Sequence, residues 1–285
     1  MKVKINLAKS SGFCFGVKRA IEVALNTAKE YKGYKIEMIG DIVHNEDVCR
    51  GIAEAGINKI KKLCKSKKKV FVISAHGIAL DVINKAKKMG YVIVDATCPR
   101  VKDIHNTAIE MEKQGRTIII IGDKEHSEVR GIVGHLKKKP IIINDENNIP
   151  VKKINKLAKV GVVVQSTQNV KKIDRMFKIL GKCMSDVKLC NTICIPTKRK
   201  QSEIRKLPLE NDVIIVIGSK MSANTGRLYE ISKNINHRTY WVQSDKGLKP
   251  VWFNGAVKIG IIAGASTPDA VTQKVINMIE RAANG

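Results

Sequence analysis

Three cysteines stand in matching surroundings. Cys14 lies in Ser11-Gly12-Phe13-Cys14-Phe15-Gly16-Val17-Lys18, Cys98 in Asp95-Ala96-Thr97-Cys98-Pro99-Arg100-Val101-Lys102, and Cys194 in Asn191-Thr192-Ile193-Cys194-Ile195-Pro196-Thr197-Lys198. Each is followed three residues on by a β-branched residue and then by lysine. The cysteines are 84 and 96 residues apart, a repeat that turns three thiols into candidates for one metal site. Two kinds of metal fit: a structural ion or an iron–sulfur cluster. Close Cys-x-x-Cys pairs are missing, whereas a structural zinc wants four ligands in such pairs. Three thiolates from three repeats can hold three irons of a 4Fe–4S cube and leave the fourth iron open. Cys190, near Cys194, is a possible fourth ligand without a counterpart in the other repeats. Cys49, Cys64 and Cys183, and by default Cys190, read as inert apolar thiols.

The same repeat carries polar groups. Four residues beyond Gly40, Gly122 and Gly218 stand His44, His126 and Ser222; six beyond stand Glu46, Glu128 and Asn224. After later apolar runs come His76, Thr167 and Ser266. Donors of this kind at strand-to-helix turns, together with helix N-termini, suit a phosphate or diphosphate. Plain N-capping by Ser222, Thr167 and Ser266 is compatible with that role. Glu128, read as a turn residue two beyond His126, is a candidate for proton delivery; a first-turn acid favoured by the helix dipole is its simpler reading.

Positioning these groups requires strands that stop where they occur. Apolar runs and helical periodicity predict alternating strand and helix almost throughout. Strands are expected at Val3–Leu7, Ile36–Ile39, Val70–Ile73, Tyr91–Val94, Thr117–Ile121, Pro140–Ile143, Val160–Val164, Asp186–Leu189, Val213–Ile217, Thr239–Val242 and Val257–Ile262. Helices are expected over Val17–Tyr31, Ile78–Met89, Val170–Leu180 and Asp269–Ala282, with others after the His44 turn and after Cys98. A period near 95 residues fits small α/β units. The expected fold is α/β, three related units around a pseudo-threefold axis with a central iron–sulfur site. The units are 1–96 (Cys14, His44, His76), 97–190 (Cys98, His126, Glu128, Thr167) and 191–285 (Cys194, Ser222, Asn224, Ser266). Ligands of parallel α/β sheets gather at the carboxyl ends of strands, where all nine repeated positions fall.

Composition narrows the classes. Only 4% of the residues are aromatic against 44% hydrophobic, so the core must be aliphatic. No run approaches a membrane span, and Met1–Gly12 has no apolar segment of signal-peptide length. Seven scattered cysteines fit reduced thiols, and with them a cytoplasmic location. A net charge of +26 is attractive to anions, but the lysines are spread over most helices and are not interleaved with aromatics. Nucleic-acid binding is therefore not expected beyond nonspecific attraction; acidic proteins and anionic small molecules are the expected partners.

These residues resemble the LytB-type 4-hydroxy-3-methylbut-2-enyl diphosphate reductase family. The motifs are Gly12-Phe13-Cys14-Phe15-Gly16-Val17 with Arg19-Ala20-Ile21, Val43-His44-Asn45, Ser74-Ala75-His76-Gly77 and Asp95-Ala96-Thr97-Cys98-Pro99. Further on are Gly122 with His126, Glu128, Val129 and Gly131; Gln165-Ser166-Thr167; Gly218-Ser219 with Ser222 and Asn224-Thr225; and Ala263-Gly264-Ala265-Ser266-Thr267-Pro268. The resemblance runs essentially end to end. It implies a 4Fe–4S cluster on Cys14, Cys98 and Cys194 with one open iron. It also implies a diphosphate pocket of His44, His76, His126, Ser222, Asn224 and Ser266, with Glu128 as proton source and Thr167 or Ser166 orienting the substrate hydroxyl. Two departures stand out: Lys200 replaces an arginine usual before Gln201, which leaves that side chain's contacts open, and Ala223 stands where a second serine is common.

The implied reaction removes an allylic hydroxyl with two electrons and two protons, leaving isopentenyl and dimethylallyl diphosphates. The net charge of +26 suggests an acidic electron donor such as a ferredoxin or flavodoxin. Two rivals remain at this stage: a cluster-bearing hydro-lyase, which consumes no electrons, and a basic nucleic-acid-binding protein, which needs no iron.

Overall fold

The computed structural model describes residues 3–65 and 67–284; Met1, Lys2, Ser66 and Gly285 lie outside it. Twelve strands among the described residues form three parallel four-stranded sheets. In chain order they are β1 (Lys4–Leu7), β2 (Lys35–Ile39), β3 (Ile57–Ile60), β4 (Lys69–Ile73), β5 (Val92–Asp95), β6 (Thr117–Ile121), β7 (Ile141–Ile143), β8 (Val160–Val164), β9 (Val187–Leu189), β10 (Val213–Ile217), β11 (Thr239–Val242) and β12 (Lys258–Ala263). The helices are α1 (Phe15–Glu30), α2 (Glu46–Glu54), α3 (Leu80–Lys88), α4 (Pro99–Lys113), α5 (Ser127–Val133), α6 (Val151–Ile154), α7 (Val170–Cys183), α8 (Ile195–Glu210), α9 (Ala223–Lys233) and α10 (Asp269–Asn284).

The sheets run β3-β2-β4-β5, β7-β6-β8-β9 and β11-β10-β12-β1. Each has the same plan: its first strand is flanked by its second and third, and a last strand lies at the far edge beyond the third. The last strands, β5, β9 and β1, lead into Cys98, Cys194 and Cys14 respectively. The sequence repeat places Lys4–Leu7 at the head of the first unit; in the structure it is parallel to β12, with Lys4 opposite Lys258 and Leu7 opposite Ile261. Local pattern marks β1 as a strand but carries no information on which edge it joins.

Central strands are built of β-branched residues because both faces are covered. Thr117–Ile121 is TIIII and Val160–Val164 is VGVVV; Ile119, Ile120, Val162 and Val163 are fully buried. Ile119, Ile121, Val162 and Val164 pack with Ile173, Met176 and Leu180 of α7. Val213, Ile215, Ile259 and Ile261 pack with Val275 and Ile279 of α10. The core is aliphatic, as composition requires.

The chain packs as two compact units. One contains the residues up to Val17, His44–Val48 and those from Ile195 onward; the other contains Lys18–Val43 and Cys49–Cys194. The first holds the β11-β10-β12-β1 sheet, and the second holds the other two. Among the described residues no helix is long and apolar enough to cross a membrane.

Candidate active site

Each third strand of a sheet ends in a tight turn. The N–H of Gly77 donates to the carbonyl of Ser74, that of Gln168 to Gln165 and that of Thr267 to Gly264, all at 3.1 Å. The third residue of each turn is His76, Thr167 or Ser266. The second residue (Ala75, Ser166 or Ala265) offers its carbonyl to a cysteine N–H: Cys98 to Ala75 at 3.0 Å, Cys194 to Ser166 at 3.1 Å and Cys14 to Ala265 at 3.1 Å. One main-chain hydrogen bond, made three times, ties each cysteine to a turn that carries a polar residue. Gly77 takes φ of +73°, where a side chain is strained.

All three cysteines are half-buried thiols, and each immediately precedes a helix: α1, α4 or α8. Cysteine sulfur is a soft donor and binds metal as the thiolate. This donor set fits a soft, thiophilic group such as an iron–sulfur cluster. Within either unit, no three His, Cys, Asp or Glu side chains among the described residues form a ligand set. The other cysteines have different settings. Cys190 packs on the apolar cluster of Ile104, Ile118 and Val163, its Sγ 4.0 Å from Met111 Sδ. Cys183 packs against the Ile119 cluster, Cys49 Sγ donates to Val43 O at 3.4 Å, and Cys64 is exposed.

The first strands end in the other set of turns. His126 N–H donates to Asp123 O at 2.9 Å and Ser222 N–H to Ser219 O at 3.1 Å, so both residues become N-caps. His126 Nδ1 accepts from Glu128 N–H at 3.2 Å, and Ser222 Oγ from Thr225 N–H at 3.3 Å. In the larger unit, the rings of His76 and His126 meet edge to face with centroids 5.7 Å apart. In the other, Ser266 Oγ donates to His44 O at 3.0 Å, and Ser219 Oγ donates to Glu46 at 2.9 Å. Asn224 is buried with its Nδ2 unpartnered, a donor awaiting an acceptor. Ala223 is the first residue of α9 and offers only main chain.

Glu128 lies elsewhere than its spacing suggests. It is not a turn residue but the second residue of α5, and it is buried. Its carboxylate accepts from Ser166 N–H at 2.6 Å and from Ser166 Oγ at 2.7 Å. Burial raises its pKa above the usual range, and the two Ser166 hydrogen bonds only partly offset this. The Ser166 hydroxyl is thereby engaged, whereas Thr167 Oγ1 accepts from Gln165 Nε2 at 3.0 Å and retains its own proton to donate.

One residue here has no counterpart in the sequence reading, and Lys200, whose contacts that reading left open, now has them. His105, on the buried face of α4, is 5% exposed and meets the His135 ring at a 30° tilt with centroids 4.2 Å apart. A Cβ on Gly77 would lie 2.8 Å from its Cε1, and one on Gly131 would lie 3.3 Å from its Nε2. His105 therefore backs both the His76 turn and the helix of Glu128. Its only sequence signal is that it shares the apolar stripe of Val101, Ile104 and Ala108. Lys200 is also buried, its ammonium donating to the carbonyls of Ser10, Gly12 and Ala263; burial pushes its pKa down to about 8.

Comparison with known proteins agrees with these features. The family model for LytB protein matches residues 5–280. The 4-hydroxy-3-methylbut-2-enyl diphosphate reductase of Aquifex aeolicus (strain VF5) is 36% identical over 286 residues, covering 99% of this chain and 98% of the relative. The reductase of the same name from Campylobacter fetus subsp. fetus (strain 82-40) is 36% identical over 280 residues, covering 98% of each. A solved structure of (E)-4-hydroxy-3-methyl-but-2-enyl diphosphate reductase, the terminal enzyme of the non-mevalonate pathway, matches with a TM-score of 0.72 at 35% identity, covering 98% of this chain and 99% of that one. The Plasmodium falciparum E-1-hydroxy-2-methyl-but-2-enyl-4-diphosphate reductase matches with a TM-score of 0.89 at 29% identity, covering 98% of this chain and 88% of the other. The chain belongs to the LytB family.

Proposed function

We propose that this chain is a 4-hydroxy-3-methylbut-2-enyl diphosphate reductase, removing the allylic hydroxyl with two electrons and two protons to give isopentenyl and dimethylallyl diphosphates. The observation that carries the reading is the cysteine N–H bond to a turn carbonyl, made three times at strand ends beside His76, Thr167 and Ser266. Family membership and similarity to reductases of that name support it.

Cys14, Cys98 and Cys194 would hold a 4Fe–4S cluster, which when bound supplies electrons and a Lewis-acidic iron without a protein thiolate. The chain's own residues do the rest. His44, His76, His126, Ser222, Asn224 and Ser266 are assigned to the diphosphate. The unpartnered Asn224 amide is the clearest donor among them. Thr167 orients the substrate hydroxyl, its oxygen already held by Gln165 Nε2 and its own proton left to donate. Glu128, protonated to higher pH than an ordinary carboxyl, supplies the proton that lets the hydroxyl leave as water. Its 2.7 Å contact with Ser166 Oγ gives that proton a route through a hydroxyl. The electron donor is assigned to an acidic carrier protein such as a ferredoxin or flavodoxin, and the location to the cytoplasm.

The test is anaerobic purification followed by iron analysis, absorbance and turnover with a reduced dye. Substrate-dependent oxidation of the dye is expected; product formation without it would indicate a hydro-lyase instead. Serine variants of Cys14, Cys98 and Cys194 should each lose iron, and those of Cys49, Cys64, Cys183 and Cys190 should keep it. Loss of the cluster on changing Cys190 would defeat the three-ligand assignment.

A further inference from the structure

The loop from Ala8 to Cys14 is gripped by two side chains of α8. The Lys200 ammonium donates to Ser10 O, to Gly12 O at 3.0 Å and to Ala263 O at 3.0 Å, using all three of its donors. Glu203, three residues on and so on the same helix face, accepts from Ser10 N–H and Ser10 Oγ, both at 3.0 Å. Ser10 is thus held by its carbonyl, its amide and its hydroxyl at once. The loop has few alternatives: Gly12 sits at φ +83°, and a Cβ there would come 2.3 Å from Asp269 Oδ1. Ser11 Oγ accepts from Ala263 N–H at 3.2 Å, and Cys14 N–H closes the loop on Ala265.

A buried ammonium carries a large desolvation cost, which core packing alone does not explain. We propose that Lys200 and Glu203 are positioning residues for Cys14. They clamp its loop to α8 within one compact unit and so fix where the Cys14 thiol stands. The inference rests on the assignment of Cys14 as a cluster ligand.

The test compares the full-length wild-type chain with Lys200→Met and Glu203→Ala. Hydrogen exchange of the apoprotein is read in the peptide spanning residues 9–15, against that spanning residues 94–99 in the same chain. Iron loss to a chelator is then followed after reconstitution. For Lys200→Met, exchange in the first peptide should speed up at least about tenfold, the equivalent of ~1.4 kcal/mol, with the second unchanged; iron loss should quicken. Glu203→Ala should act in the same direction, about threefold, because it frees only Ser10. Equal acceleration in both peptides would show a merely structural role and overturn the proposal, as would no change in a folded Lys200→Met chain. If that variant does not fold, Glu203→Ala decides alone, and unchanged exchange at residues 9–15 overturns the clamp. A wild-type chain that takes up no iron overturns the ligand assignment instead, while the apoprotein exchange still judges the clamp.

Discussion

His105 predicts how this protein meets acid. The residue is 5% exposed, its ring lies against Gly77 and Gly131, and it meets His135 at a 30° tilt. Burial, with a smaller push from His135 and Lys102 and a counter-pull from Asp95, lowers its pKa from 6.5 to about 4. The folded chain therefore refuses a proton that the unfolded chain accepts. Stability from the neutral ring is fully present above pH 6.5 and is lost as pH falls towards 4. At 1.36 kcal/mol per unit, that gap is worth about 3 kcal/mol. His105→Gln removes the titration at a packing cost that does not vary with pH. Unfolding of both apoproteins in urea, followed by circular dichroism between pH 7.5 and 4, isolates the effect as a difference. The wild-type advantage should shrink by about 3 kcal/mol across that window. Parallel curves would refute the argument and show that the pocket admits a charged imidazole.

Two further outcomes concern turnover. Glu128→Gln keeps size and hydrogen-bond acceptance but cannot donate a carboxylic proton; it should retain iron and the substrate-induced spectral change while turnover falls roughly 10²–10⁴-fold. Near-normal turnover would remove Glu128 from the mechanism. With a net charge of +26, reduction by an acidic protein donor should slow as salt rises, because steering is screened within roughly 8 Å at physiological ionic strength. Reduction by a neutral dye should not change, and equal salt responses would refute steering.

What could be read in advance was local. Runs such as TIIII and VIIVI can only be strands buried on both faces, and they fall where periodicity puts them, at Thr117–Ile121 and Val213–Ile217. The repeat of cysteine, glycine and polar turn residues is likewise a property of short segments, and the turns at 74–77, 165–168 and 264–267 close in the same way. The boundaries that moved were modest: α7 runs on to Cys183, and α3 begins at Leu80. The short strand Ile57–Ile60 went unread because four residues that include Asn and Lys carry too little apolar signal.

Tertiary structure decided everything that depends on a distant neighbour. Strand β1 joins β12 across more than 250 residues, because a parallel edge is completed by whatever strand fits and not by the one nearest in sequence. Glu128 acquires its raised pKa only because the fold buries it and brings Ser166, 38 residues away, onto its carboxylate. Lys200 stands out in the sequence only as a replaced arginine; its burial and its three main-chain carbonyl partners come from the fold. A side chain's type and spacing determine what chemistry it can perform. Its desolvation and its partners, which set charge state and aim, come from segments that sequence alone does not bring together.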